Sequence, residues 1–169
     1  GLANNVIFLY DQMQHMEIEP GPATFVYILE ACGDLSMLGQ GQLIHATIIG
    51  RGISIENVLG TSIINMYAKC DRLGEARHVH NGFRVRSVSS WNALIGGYNQ
   101  HGKYYESLDC FDLMQKEGLS PDVITFTCIL KACGNVVAME KGGKTELMMT
   151  LPEGGFLNKT ILLGNVSSW

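Results

Sequence analysis

The chain has 169 residues, 46% of them hydrophobic and 17% charged, with a formal net charge of −4. That is enough for one modest core or a short array of repeated units, and too apolar for a disordered or fibrous chain. The acidic balance argues against non-specific binding to nucleic acid or membrane surfaces, and no apolar run reaches the roughly eighteen residues of a membrane-spanning helix.

The chain starts with Gly rather than Met and shows no charged, then apolar, then small-residue leader, so no targeting segment is expected within these residues. Its five cysteines, Cys32, Cys70, Cys110, Cys128 and Cys133, are odd in number and contain no C-x-x-C pair. Reduced, unpaired thiols are expected, with no metal site and no cofactor.

Along the chain, Val6, Leu9, Tyr10 and Met13 form a first helical stripe, which "IEPG" at 18–21 ends because proline cannot continue a helix. "FVYILEACGD" at 25–34 sets Phe25, Ile28, Leu29 and Cys32 at the i, i+3, i+4, i+7 spacing of one helix face. "GTSIINMYAKC" from Gly60 repeats it with Ile63, Ile64 and Tyr67, and a second stripe follows as Ala76, Val79 and Phe83. "WNALIGGYNQH" from Trp91 repeats it again with Leu94, Ile95 and Tyr98. Its second stripe, Leu108, Phe111 and Met114, lies between Gly102 and Gly118, and "LSPD" at 119–122 stops it. "FTCILKACGN" carries the last copy, Phe126, Ile129, Leu130 and Cys133.

The anchors Phe25, Gly60, Trp91 and Phe126 are 35, 31 and 35 residues apart, which marks an internal repeat. Cys32 and Cys133 then share the inward position of Tyr67 and Tyr98, where a thiol packs as a small apolar group. Two antiparallel helices per unit, with no alternating β-type runs between them, predict an all-α fold. A hairpin of this kind cannot bury its stripe alone, so stacking into an α-solenoid of helical-hairpin repeats is expected.

Residues 88–122, "VSSWNALIGGYNQHGKYYESLDCFDLMQKEGLSPD", resemble one pentatricopeptide repeat of 35 residues. "TFVYILEACGDLSMLGQGQLIHATII", with Gly41 and His45, is similar to the long repeat type of the plant subclass that cycles long, short and ordinary units; "GTSIINMYAKCDRLGEARHVHNGF" is similar to its short type. The resemblance implies a right-handed, tetratricopeptide-like superhelix with units at 1–21 (second part of an ordinary repeat), 22–56 (long), 57–87 (short), 88–122 (ordinary) and 123–160 (degenerate long), and a broken start at 161–169. His80 stands where the short type has an apolar residue, and "FRVRS" replaces its closing Met-Pro. The last long unit loses the Gly-x-x-x-His element, and the terminal "VSSW" copies residues 88–91, as in a truncated or wrongly joined gene.

The resemblance also implies binding of single-stranded RNA, one nucleotide per repeat, by side chains of the first helices. Carried over by position, the readout residues are the fifth of each unit, Val26, Thr61, Asn92, Thr127 and, in the broken unit, Asn165, together with the last of each unit, Glu56, Ser87 and Asp122. Asn92 with Asp122 is similar to the family's uracil-preferring pair; Thr61 with Ser87 looks purine-leaning; Val26 with Glu56 follows the family's code poorly. The second residues, Ala23, Val58, Ser89 and Ile124, would pack against base faces, with Ser89 departing from the usual aliphatic. Implied partners are RNA and other proteins of an RNA-processing or editing complex, in a mitochondrion or plastid, with no membrane.

On the residues alone, Asn92 and Asp122 serve equally as helix-start and turn residues. "HME" at 15–17 matches the H-x-E half of a zinc deaminase site, but the P-C-x-x-C half is absent. His45, His78, His80 and His101 are not grouped with the acids and thiols of a nucleophilic triad, and "GQGQ" at 39–42 and "KGGKT" at 141–145 lack the strand and spacing of a phosphate loop. No enzyme is expected. Two other readings stay open: a protein-binding scaffold, since solenoids offer concave surfaces to peptides too, and a truncated piece with little function alone.

Overall fold

The computed structural model describes residues 1–55 and 58–141, with the side chains of 140 and 141 left aside. These residues form eight α-helices: α1 Leu2–His15, α2 Pro22–Asp34, α3 Leu38–Gly50, α4 Val58–Lys69, α5 Leu73–Asn81, α6 Val88–Gln100, α7 Tyr104–Lys116 and α8 Val123–Lys141. No strand occurs among the described residues. None of the helices is long and apolar enough to cross a membrane.

Packing is sequential. The helices α2, α4, α6 and α8 lie side by side in one layer, while α3, α5 and α7 each pack against the helix before and the helix after. This is the contact pattern of an α-solenoid, in which each hairpin buries its stripe against the next. The repeated stripe supplies that layer's core: Phe25, Ile28, Leu29 and Cys32, then Ile63, Ile64 and Tyr67, then Trp91, Leu94, Ile95 and Tyr98 are all buried. Each fully buried Ile or Leu contributes about 1.5–3 kcal/mol over its exposed state.

One type of turn closes the first helices. Ser36, Asp71 and Gly102 all have positive φ, at 54°, 59° and 69°. The residue after each returns its N–H to the carbonyl of Cys32, Tyr67 or Tyr98, at 2.8, 2.8 and 2.9 Å. The inward Cys or Tyr thus also anchors the left-handed helix stop that turns the chain into its second helix. Gly52 and Gly118, at φ 65° and 79°, do the same at the ends of α3 and α7.

Two readings from periodicity need correction. Phe83 belongs to no helix: α5 ends at Asn81 and Gly82 caps it, yet the Phe83 ring is buried from the following turn. A buried aromatic in a turn mimics the next step of a helical stripe. The stripe on α8 is also not equivalent to the other three. Leu130 is 71% and Phe126 51% exposed, and Cys133 is only half-buried: among the described residues α6 and α7 are the elements seen packing on α8, whereas α4, α5, α7 and α8 all pack on α6.

All five cysteines are free thiols. Burial pushes Cys32 up to about 11 and Cys110 up to about 12, so both stay protonated and behave as apolar packing groups.

Candidate nucleic-acid interface

The residues expected to meet bases sit on the first turns of α2, α4, α6 and α8, the four helices of the shared layer. Ala23, Val58, Ser89 and Ile124, each two residues ahead of its anchor Phe25, Gly60, Trp91 or Phe126 and so on the opposite side of the helix, are all exposed. Ala23 and Val58 lie on adjacent helices and line, with Val26, Pro22, Tyr27 and Leu59, an almost wholly apolar groove of about 430 Å³. A second groove of about 320 Å³, between α1 and α2, shares Ala23 and Tyr27. Among the expected contacts the structure therefore brings Ala23, Val26 and Val58 together.

It also brings Asn92 and Asp122 together. Asn92 is buried on α6, 8% exposed, and its Nδ2 donates to Asp122 Oδ1 at 2.9 Å, between residues thirty positions apart. Asp122 stands just before α8. It accepts from Thr125 N–H at 2.8 Å, and its own N–H donates to Thr125 Oγ1 at 3.2 Å, a reciprocal pair that satisfies two otherwise unbonded donors of the helix start. These donors, Thr125 N–H first and the Asn92 amide second, hold the Asp122 carboxyl below the usual carboxylate range. It is thus a carboxylate at neutral pH, facing an amide.

Thr125 completes the cluster and was missed from sequence. Its hydroxyl oxygen lies 2.6 Å from Asn92 Oδ1 and 2.9 Å from Asp122 Oδ1, and the residue is fully buried. The signal was available: Asp-Val-Ile-Thr at 122–125 has the spacing of a capping box, and so has Ser-Val-Ser-Ser at 87–90.

The other expected readout residues are placed less tightly. Thr61 is half-buried on α4. Ser87 is the N-cap of α6: its hydroxyl accepts from Ser90 N–H at 3.2 Å, and its own N–H donates to Ser90 Oγ at 3.1 Å. Thr127 is exposed and its hydroxyl donates back to the Val123 carbonyl at 2.7 Å, a bond internal to α8. Glu56 and Asn165 lie outside the described residues.

Three of the histidines singled out in the enzyme-like fragments make ordinary structural contacts, and "KGGKT" lies outside the described residues from 142 on. His15 is exposed, with Nδ1 2.7 Å from the Asp11 carbonyl. His45 meets the Tyr67 hydroxyl at 3.1 Å, and His101 bridges the Ala68 carbonyl, at 2.6 Å, and Asp71, at 3.1 Å. Among the described residues no three His, Cys, Asp or Glu side chains are grouped so as to hold a metal ion.

Two family models match this chain, one described as a PPR repeat, over residues 61–88, and one as the PPR repeat family, over residues 86–135. A pentatricopeptide repeat-containing protein of Arabidopsis thaliana is 40% identical over 129 residues, 76% of this chain. The chain belongs to the pentatricopeptide-repeat family. A second Arabidopsis thaliana pentatricopeptide repeat-containing protein is 34% identical over 142 residues, 84% of this chain. The chain spans only 21% and 28% of the lengths of these two relatives.

Among solved structures, the pentatricopeptide repeat protein PPR10 from maize superposes with a TM-score of 0.63 at 23% identity, covering 83% of this chain and 22% of that one. PPR10 in complex with an 18-nt psaJ RNA element superposes with a TM-score of 0.66 at 20% identity, covering 82% and 22%. At these identities the likeness speaks for the fold: a stack of pentatricopeptide hairpins.

Proposed function

We propose that this chain binds single-stranded RNA along the layer of first helices, one nucleotide per helical hairpin, as part of a longer repeat array. The observation that carries the reading is the Asn92–Asp122 hydrogen bond. It joins the fifth residue of the unit 88–122 to its last, two positions expected to act on one base, and makes a hydrogen-bonded polar pair on that layer. An amide held by a carboxylate can bond a base edge without first breaking its own geometry. The flanking groove lined by Ala23, Val26 and Val58 has the apolar walls that a base face would pack against. That PPR10 has been solved with an RNA element supports the same use of the shared fold.

In the finer reading, Asn92 with Asp122 prefers uracil, Thr61 with Ser87 a purine, and Val26 with Glu56 and Thr127 discriminate weakly, while Val58, Ile124, Ala23 and Ser89 pack on base faces. The units follow the long, short and ordinary cycle of the plant subclass. The parent protein serves organellar RNA processing or editing-site recognition, in a mitochondrion or plastid, alongside other proteins of such a complex, without catalysis by these residues.

Selection from a randomised RNA pool tests this. Wild type is expected to enrich U at one register, and Asn92→Thr to move that register toward G. Affinity should fall as salt rises, because contacts to phosphates release counterions. An unchanged base profile, or no binding at low salt, overturns the RNA reading in favour of a protein-binding scaffold.

A further inference from the structure

An asparagine amide by itself is a poor discriminator between pyrimidines. Uracil presents an acceptor, O4, beside the N3–H donor; cytosine presents a donor, N4–H, beside the N3 acceptor. Rotating an amide by half a turn about its last bond exchanges its N–H and C=O, so a freely flipping Asn satisfies both bases. Discrimination needs the flip to be fixed.

Two groups hold the Asn92 amide. On the nitrogen side stands the Asp122 carboxylate, 2.9 Å from Nδ2, which can only accept. On the oxygen side stands the Thr125 hydroxyl, 2.6 Å from Oδ1, which must donate there. The hydroxyl has one proton and two acceptors in reach, Asn92 Oδ1 at 2.6 Å and Asp122 Oδ1 at 2.9 Å; Asp122 Oδ1 already accepts from Thr125 N–H and from the Asn92 amide, whereas among the described residues no other donor is seen on Asn92 Oδ1. Reversing the amide would set C=O against a carboxylate and N–H₂ against a hydroxyl that also accepts from the Asp122 N–H. One amide N–H and one oxygen lone pair remain unspent in the retained orientation.

The preceding helix start is built differently. There Ser90 occupies the place of Thr125, but its hydroxyl donates to the Ser87 carbonyl at 2.9 Å, within its own turn. The crossing bond is therefore a property of Thr125 and not of every capping serine or threonine in this fold.

We infer that Thr125 is a positioning residue: from the start of the next repeat it locks, with Asp122, the orientation of the Asn92 amide and so sets its preference for uracil over cytosine. This rests on the RNA reading above. The test uses the 169-residue chain and two RNA oligonucleotides selected by the wild type, differing only by U or C at the Asn92 register. Thr125→Val, which keeps shape and removes the hydroxyl, should lower the U-to-C affinity ratio about five-fold, the scale of one hydrogen bond. Thr125→Ser should restore it. In the RNA-free chain, the side-chain amide protons of Asn92 should exchange with solvent faster in Thr125→Val than in wild type or Thr125→Ser, read by ¹⁵N-resolved NMR; Thr125→Ala replaces the valine variant if that one does not fold. If wild type prefers U but Thr125→Val keeps both the ratio and the slow exchange, the inference fails alone. If wild type binds neither oligonucleotide, the RNA reading fails and the inference with it.

Discussion

Gly60→Ala is expected to destabilise the chain by about 3 kcal/mol, lowering its melting temperature by roughly 6–12 °C, the result of forcing a methyl into a filled site. A Cβ at Gly60 would meet the Ile55 carbonyl oxygen at 1.8 Å and the Phe83 ring tip at 2.5 Å. The ring could turn aside; the backbone carbonyl could move only with the segment entering α4. The helix thus has to shift, and with it Ile63, Ile64 and Tyr67, which pack α4 against its neighbours. The equivalent positions carry Phe25 and Trp91, both buried. At Gly60 the aromatic comes from elsewhere: Phe83, from the turn after α5, fills the space. Thermal and urea melts followed by circular dichroism check this. Gly96→Ala is the control, since a Cβ there meets nothing within 4 Å; in a helix interior it should gain up to about 1 kcal/mol. Equal melting of wild type and Gly60→Ala would refute the steric account.

Acid should weaken the fold through His80 as pH falls below about 6.5. His80 is fully buried at the end of α5, its ring edge-on to Trp91 at 4.2 Å and tilted against Phe83 at 6.0 Å, and among the described residues no hydrogen bond of good geometry is seen on either ring nitrogen. Burial first, and the nearby Arg86 guanidinium second, push it down to about 4, with Glu117 and the Asn81 side chain opposing and Arg77 acting in the same direction as Arg86. Arg86 is held there: it pairs with Glu117, which also accepts from Trp91 Nε1 at 3.1 Å, and its Nε donates to the His80 carbonyl at 3.3 Å. Since the folded value is depressed, the unfolded chain takes up a proton below about pH 6.5 that the folded chain refuses until about pH 4. Stability is therefore full above that window and is lost as pH falls through it, by about 2 kcal/mol at pH 5 and about 3 kcal/mol at its lower end. His80→Leu puts an apolar side chain in the same buried place and should remove that part of the pH dependence. Urea midpoints of both proteins at pH 7, 6 and 5 decide it; parallel curves would show that His80 is not the titrating group.

Much of the fold was legible because burial leaves a period. Ile28, Leu29 and Cys32, and their copies at Ile63, Ile64, Tyr67 and at Leu94, Ile95, Tyr98, had to be inward if the segments were helical, and they are. The same reasoning failed at Phe83, where a turn residue fell into step with a helical stripe. At Leu130 the pattern predicts a buried face, but burial depends on what packs there. Of the site, the positions of Asn92 and Asp122 came from the resemblance to a repeat family. Their hydrogen bond could not, because it crosses from α6 to the start of α8.

The sequence by itself determined the all-helical class and the spacing of the repeated stripe, since these follow from residue periodicity and turn residues that act within a few positions of one another; the family was legible in the resemblance of residues 88–122 to one pentatricopeptide repeat. Tertiary structure alone decided that Phe83 fills the place of a missing anchor over Gly60, that His80 is a buried base beside a guanidinium, and that Thr125 bonds an amide in the preceding repeat. Each depends on the distance between residues 6 to 33 positions apart, and a linear sequence does not encode that distance until the helices and turns that carry them have packed.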